Sequence, residues 1–277
     1  MSESGSCRVC LILLIGPLGC RGSSPSSIPE VDAADTAPST PSALPPPVLA
    51  PGLPPLGGEW LVHLPLDGFG AAVVAVPLGA TSPRDVVVGV HGRNDRPEWA
   101  CGEWRGVTAA PFVLCPHGVP ADAPAGRGLA FAGAERTRRE IDAGLAALRA
   151  RFGPYVAQGP MIYAGFSLGA ILGVAIVADD AARFPVAVLG EGGHDAWTPE
   201  RVTRFVKGGG RRVLFVCSTG ECEAATARPL AALSRAGVQV KLVSAGHLGH
   251  LVDDRVVAAV RAAWPWVTGD EREPPPQ

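Results

Sequence analysis

Along the middle of the chain, short runs rich in β-branched residues alternate with stretches of helical periodicity. The runs are Ala72 to Val76, Val86 to Val90, Pro111 to Cys115, Met161 to Ala164, Val186 to Leu189, Val213 to Cys217 and Val238 to Val243. Continuous apolar runs of this length predict buried strands. Between them, Ile141, Leu145, Leu148 and Phe152 recur at helical spacing, Ala170 to Ala178 has a helix former's composition, and Leu230 to Arg235 runs up to Gly237, a C-cap residue. Asp253 and Asp254 precede Val256, Val257, Val260 and Trp264, which places acids at the positive end of a last helix. Strands joined by helical crossovers build a mostly parallel sheet with helices on both faces, and such sheets bind ligands at the carboxyl ends of their strands. Arg96 to Trp104, with Trp99 and Trp104, is expected to be a loop over that edge.

The ends read differently. Ten of the 28 prolines fall between Pro25 and Pro55, and three more close the chain at Pro274, Pro275 and Pro276. Residues 21–58 and 271–277 are therefore expected to be a disordered spacer and tail, flanking one domain over 59–270. Residues 1–20 combine Arg8, the apolar stretch Val9 to Ile15 and Pro17-Leu18-Gly19-Cys20. The apolar stretch is too short to span a bilayer, and it resembles a bacterial lipoprotein signal. The resemblance implies export, with Cys20 lipidated and attached to a membrane; cleavage without lipidation would give a secreted protein instead. A net charge of −2 with no basic cluster excludes a nucleic-acid partner.

The strongest local signal is Gly165-Phe166-Ser167-Leu168-Gly169, which follows a strand pattern and precedes a helix pattern. Glycines at these places let the chain make a sharp strand-to-helix turn that lifts the Ser167 hydroxyl above the sheet. From about Glu59 to Gly269 the chain resembles the α/β-hydrolase family, and within it the small bacterial esterases of the dienelactone-hydrolase and carboxylesterase kind. No insertion is long enough for a cap domain. The resemblance implies a Ser-His-acid triad in the chain order nucleophile, acid, histidine, with no cofactor.

A serine hydroxyl needs a base within hydrogen-bond reach, and the histidine needs a carboxylate to orient it. After the last strand, Ser244-Ala245-Gly246-His247-Leu248-Gly249-His250 supplies two histidines; His250, nearer the final helix, is the expected base and His247 the alternative. The family's Gly-x-x-Asp after the penultimate strand reads Gly220-Glu221-Cys222-Glu223 here. Carried over residue by residue, the resemblance implies Glu223 as the acid. Glu221 is a rival, as is Asp195 in Glu191-Gly192-Gly193-His194-Asp195. The N–H of Leu168 is expected as one oxyanion donor. In His91-Gly92-Arg93-Asn94-Asp95, which resembles the family's His-Gly oxyanion motif, Gly92 allows close approach, Arg93 supplies the second N–H, and His91 is expected to hold the loop.

Seven cysteines are present; with Cys7, Cys10 and Cys20 in the leader, the domain keeps Cys101, Cys115, Cys217 and Cys222. In an oxidising compartment these allow up to two disulfides in any of three pairings, with buried thiols as the alternative. No cysteine pair has zinc spacing. His247-x-x-His250-x-x-Asp253 lacks both a neighbouring glutamate and a helix pattern, so no metal is expected. The resulting expectation is a serine hydrolase that cleaves a small ester through an acyl-enzyme. A peptidase or thioesterase on the same fold is the nearest alternative. Because glutamate stands where the family has aspartate, a second reading is a surface lipoprotein of the same fold that binds a ligand or partner without turnover.

Overall fold

The computed structural model describes residues 52–121 and 128–270. The export signal, Cys20, the spacer up to residue 51 and the tail 271–277 lie outside the described residues. The strands are β1 (Leu61–Leu64), β2 (Ala72–Ala75), β3 (Val86–Val90), β4 (Phe112–Cys115), β5 (Val119–Pro120), β6 (Leu129–Ala130), β7 (Ile162–Phe166), β8 (Val186–Gly190), β9 (Arg212–Cys217) and β10 (Gln239–Ser244). The helices are α1 (Pro97–Val107), α2 (Ala134–Phe152), α3 (Leu168–Asp179), α4 (Pro199–Lys207), α5 (Gly220–Arg235) and α6 (Asp254–Thr268). Eight strands form one sheet in the order β1-β2-β4-β3-β7-β8-β9-β10. Within this sheet β1–β2 and β2–β4 are antiparallel and the other pairs are parallel; β5 and β6 form a separate antiparallel pair.

Pleating sorts the apolar residues into two cores. Val86, Val88 and Val90 of β3, with Val213 and Phe215 of β9, face α2 to α5, where Ile141, Leu145, Val174, Phe205 and Leu233 meet them. Val87, Leu214 and Val216 point the other way, against Trp104 of α1 and Val256, Val260 and Val267 of α6. Both faces are thus covered, as expected for a parallel sheet.

Three features differ from the sequence expectation. Residues 97–107 form α1 rather than a loop: Pro97 opens the helix and Glu98 lies in its first turn, two features that outweigh the interruptions at Gly102 and Gly106. Trp104 is buried beneath the sheet while Trp99 is exposed. Residues 52–58, expected as spacer, dock on the domain. Leu53 N–H donates to Thr81 O at 3.0 Å, Leu56 exchanges hydrogen bonds with Ala80 and Gly79, and the Tyr155 hydroxyl donates to Pro54 O at 2.9 Å. Finally, β1 and α4 stand outside the expected elements, although α4 opens on Thr198-Pro199-Glu200, a cap and helix-start pattern. The cysteines pair as Cys101–Cys115, joining α1 to β4, and Cys217–Cys222, joining the end of β9 to the first turn of α5.

The crossing of α3 over the sheet is unusually close. A Cβ on Gly169 would lie 2.2 Å from Val90 O, and one on Gly165 would lie 2.6 Å from Gly169 C, so glycine at both places is a packing requirement. The buried Tyr163 hydroxyl of β7 donates to Gly169 O at 2.7 Å and fastens the first turn of the helix. Gly169→Ala is expected to lower unfolding stability by about 1–3 kcal/mol, the usual range for overpacking, measured by urea denaturation.

Between α1 and α6 a cavity of about 30 Å³ is lined by Glu103, Phe166, Val252 and Val256. Loss of water around Glu103, aided by the charge of Asp95, pushes its carboxyl up to about 8. The native chain therefore holds a proton that the unfolded chain releases above the ordinary glutamate range. This contribution to stability is therefore complete below about pH 4.5 and is lost as pH rises toward about 8. Relative to the unsubstituted protein, Glu103→Gln should gain in Tm between pH 5 and pH 8.5; equal slopes of Tm against pH would contradict the assignment.

Candidate active site

Ser167 is the first residue beyond β7 and precedes α3. Its backbone stands at φ 50° and ψ −114°, a sparsely populated region for a residue with a side chain. Its N–H donates to Gly190 O at 2.8 Å and its carbonyl accepts from Ile171 N at 3.0 Å, so strand and helix clamp the turn from both sides. The consequence is a serine hydroxyl standing at the carboxyl edge of the sheet. From the segment between β10 and α6, His250 Nε2 meets Ser167 Oγ at 2.8 Å. The imidazole also packs against the Phe166 ring, centroid to centroid 5.2 Å.

The carboxylate at the other imidazole nitrogen belongs to Glu191. His250 Nδ1 lies 3.3 Å from Glu191 Oε2, and the glutamate side chain is only 5% exposed where the histidine is 55% exposed. Glu191 is the first residue after β8, as Ser167 is after β7, and it too has a positive φ, 48°. Its buried charge is met by a dedicated set of donors. Ser218 N–H donates to Oε1 at 2.5 Å, Thr219 Oγ1 to Oε2 at 3.0 Å, and Ser218 Oγ lies 3.2 Å from Oε1. A carboxylate taken out of water needs such compensation to remain ionised.

None of the carboxylates expected from the sequence occupies that place. Residues 220–223 are not a loop after β9 but the first turn of α5, capped by Thr219, whose Oγ1 accepts from Cys222 N at 3.2 Å. Glu223 accordingly turns to the Ser244 hydroxyl, and Glu221 is exposed at the helix start. Asp195 is 92% exposed and faces His194 at 3.5 Å. His247 is exposed, its ring beside Gly220 at the start of α5. The signal that could have pointed to Glu191 is its position: it directly follows the strand, inside Gly190-Glu191-Gly192-Gly193, whereas Asp195 lies four residues farther on.

Facing the serine is the loop after β3. A Cβ on Gly92 would lie 3.3 Å from Ser167 Cβ, so the backbone of this loop passes directly against the hydroxyl-bearing residue. His91 is 1% exposed; its Nδ1 lies 2.7 Å from Gly92 O, its Nε2 3.0 Å from His117 O, and its ring packs on Phe131. It ties the loop to the segment after β4. Arg93, two residues after His91, is exposed. Leu168 is the first residue of α3, so its N–H has no partner within the helix. Among the described residues, Glu191, Cys217 and Cys222 bring three ligand-type atoms within 4.8 Å of one another. Both sulfurs are bonded to each other, and a disulfide sulfur is not the thiolate that metals require.

No protein-family model matches the sequence. No curated protein matches it either. Solved structures do match in shape. The esterase PE8 superimposes with a TM-score of 0.51 at 17% identity, covering 68% of this chain and 94% of that one. Est1E from Butyrivibrio proteoclasticus gives 0.53 at 14% identity, covering 76% and 100%. An acylaminoacyl peptidase gives 0.52 at 11% identity, covering 76% of this chain but 41% of its own. At these identities the likeness concerns architecture, and together with the sheet order and the helices on both faces it shows that the chain has the α/β-hydrolase fold.

Proposed function

We propose that the protein is a serine hydrolase that cleaves carboxylic esters through an acyl-enzyme intermediate. The observation that carries this reading is the alignment of Ser167 Oγ, 2.8 Å from His250 Nε2, with the buried Glu191 carboxylate, 3.3 Å from His250 Nδ1. In this reading His250 takes the Ser167 proton as the hydroxyl attacks the carbonyl carbon. Glu191 keeps Nδ1 protonated and stabilises the imidazolium. The tetrahedral oxyanion is held by the N–H groups of Leu168 and Arg93, and collapse returns the proton from Nε2 to the leaving alcohol. Water, deprotonated by the same histidine, then releases the acid.

The ester is supported by the sequence's resemblance to small bacterial esterases and by the esterases among the structures of like shape. Export to an oxidising compartment is part of the same proposal. It is supported by the leader ending at Cys20 and by two disulfides, which reducing compartments disfavour.

Treatment with a fluorophosphonate should give one adduct, on Ser167, that is absent in Ser167→Ala and strongly slowed in His250→Ala. Turnover of 4-nitrophenyl acetate should fall about 10³-fold or more in Glu191→Gln and stay within about threefold in Glu223→Gln. A fully active Glu191→Gln would sink the assignment of the acid, and a folded protein without any adduct would sink the reading as a whole.

A further inference from the structure

Ser218 has 1% exposure and sits between two segments that regular secondary structure does not hold. On one side its N–H and hydroxyl meet Glu191 Oε1. On the other, its carbonyl accepts from Leu248 N at 2.9 Å and Gly249 N at 3.2 Å. Its hydroxyl lies 2.8 Å from Gly249 O and 3.4 Å from Leu251 O. His250 stands between those two carbonyls, its imidazole exposed on one side and beside the Phe166 ring on the other. A hydroxyl has one proton to donate, and the shortest contact assigns it to Gly249 O.

Ser218 in turn is held by its neighbours. The Cys217–Cys222 bond closes a ring of sequence separation 5 that contains Ser218 and Thr219, both donors to Glu191. A loop this short gains little global stability from a cross-link, since the entropic effect grows with loop length. Its local effect is to anchor the end of β9 on the first turn of α5.

We infer that Ser218, clamped within the Cys217–Cys222 ring, is the positioning residue that sets His250 against Glu191. The inference rests on the serine-hydrolase reading above and extends it: the hydroxyl and the carbonyl of Ser218 hold Leu248 and Gly249, immediately before the base, while the same residue's N–H holds the acid. Without the hydroxyl, the segment carrying His250 gains freedom relative to both Ser167 and Glu191. The loss should appear in proton transfer rather than in binding.

The test is the pH dependence of Ser167 labelling by a fluorophosphonate in the full chain, compared with Ser218→Ala and, separately, with Cys217→Ala/Cys222→Ala. Hydrolysis of 4-nitrophenyl acetate and circular dichroism accompany it. Ser218→Ala is expected to fold, to label about tenfold to a hundredfold more slowly, as when the outer partner of a histidine is removed, and to lower kcat with KM nearly unchanged. Its labelling profile should change its acid limb, because loosening the segment alters the distance from the imidazole to Glu191, whereas a purely structural loss would lower the rate alike at every pH. The cysteine pair variant should move both quantities in the same direction, while Cys101→Ala/Cys115→Ala leaves the acid limb in place. A folded Ser218→Ala with unchanged rate and unchanged acid limb overturns the inference alone. Should Ser218→Ala not fold, the Cys217→Ala/Cys222→Ala profile decides in the same way. An unmodified protein that takes no label overturns the hydrolase reading and this inference with it.

Discussion

At the close of β7 the chain reverses through Ser167 in a conformation that costs roughly 1–3 kcal/mol, and the rest of the site depends on that turn being held. It is held because α3 passes so near β3 that Gly169 faces Val90 O with no space for a Cβ, while Tyr163 and Gly190 fasten the turn by hydrogen bonds. The strain is local and the packing that opposes it is extensive, since α3 buries most of its length between the sheet and its neighbouring helices. Loosening the crossing would lower the hydroxyl toward the sheet and separate it from His250.

A second reversal repeats the device. Because β7, β8 and β9 are parallel and adjacent, their carboxyl ends lie side by side, and the residues that follow them, Ser167, Glu191 and Ser218, become neighbours although they are far apart in the chain. Glu191 brings a charge into a place with almost no water. That is tolerable only because the next strand end supplies donors from Ser218 and Thr219. His250, by contrast, is exposed and arrives on an irregular segment, so its position is borrowed from this buried network.

The strands were legible because β-branched runs flanked by glycine and charged residues have few alternatives to burial in a parallel sheet. The turn at Ser167 was legible for the same reason: both glycines and both flanking elements lie within a dozen residues of it. The helix over 97–107 was not, since two glycines mask a helical pattern whose apolar side becomes meaningful only against the sheet. Residues 52–58 have the composition of a spacer, yet Leu56 finds a partly buried place beside the core that no local pattern announces.

Order along the chain by itself determined the alternation of strands and helices, the sharp turn at Ser167 and the presence of His250 before the last helix. Only the tertiary structure decided which carboxylate meets that histidine and which cysteines pair. The reason is that both depend on which elements folding brings side by side: neighbouring strand ends for the carboxylate, a helix against a strand for each disulfide. Glu221 and Glu223 are removed from the site by α5 beginning immediately after Thr219, an event set by that residue's cap and the Cys217–Cys222 bond. Glu191 is admitted because β8 lies next to β7 and its end is roofed by the donors of β9. A sequence pattern records which groups are near along the chain; the choice among three glutamates and an aspartate required knowing which one folding had enclosed and supplied with hydrogen bonds.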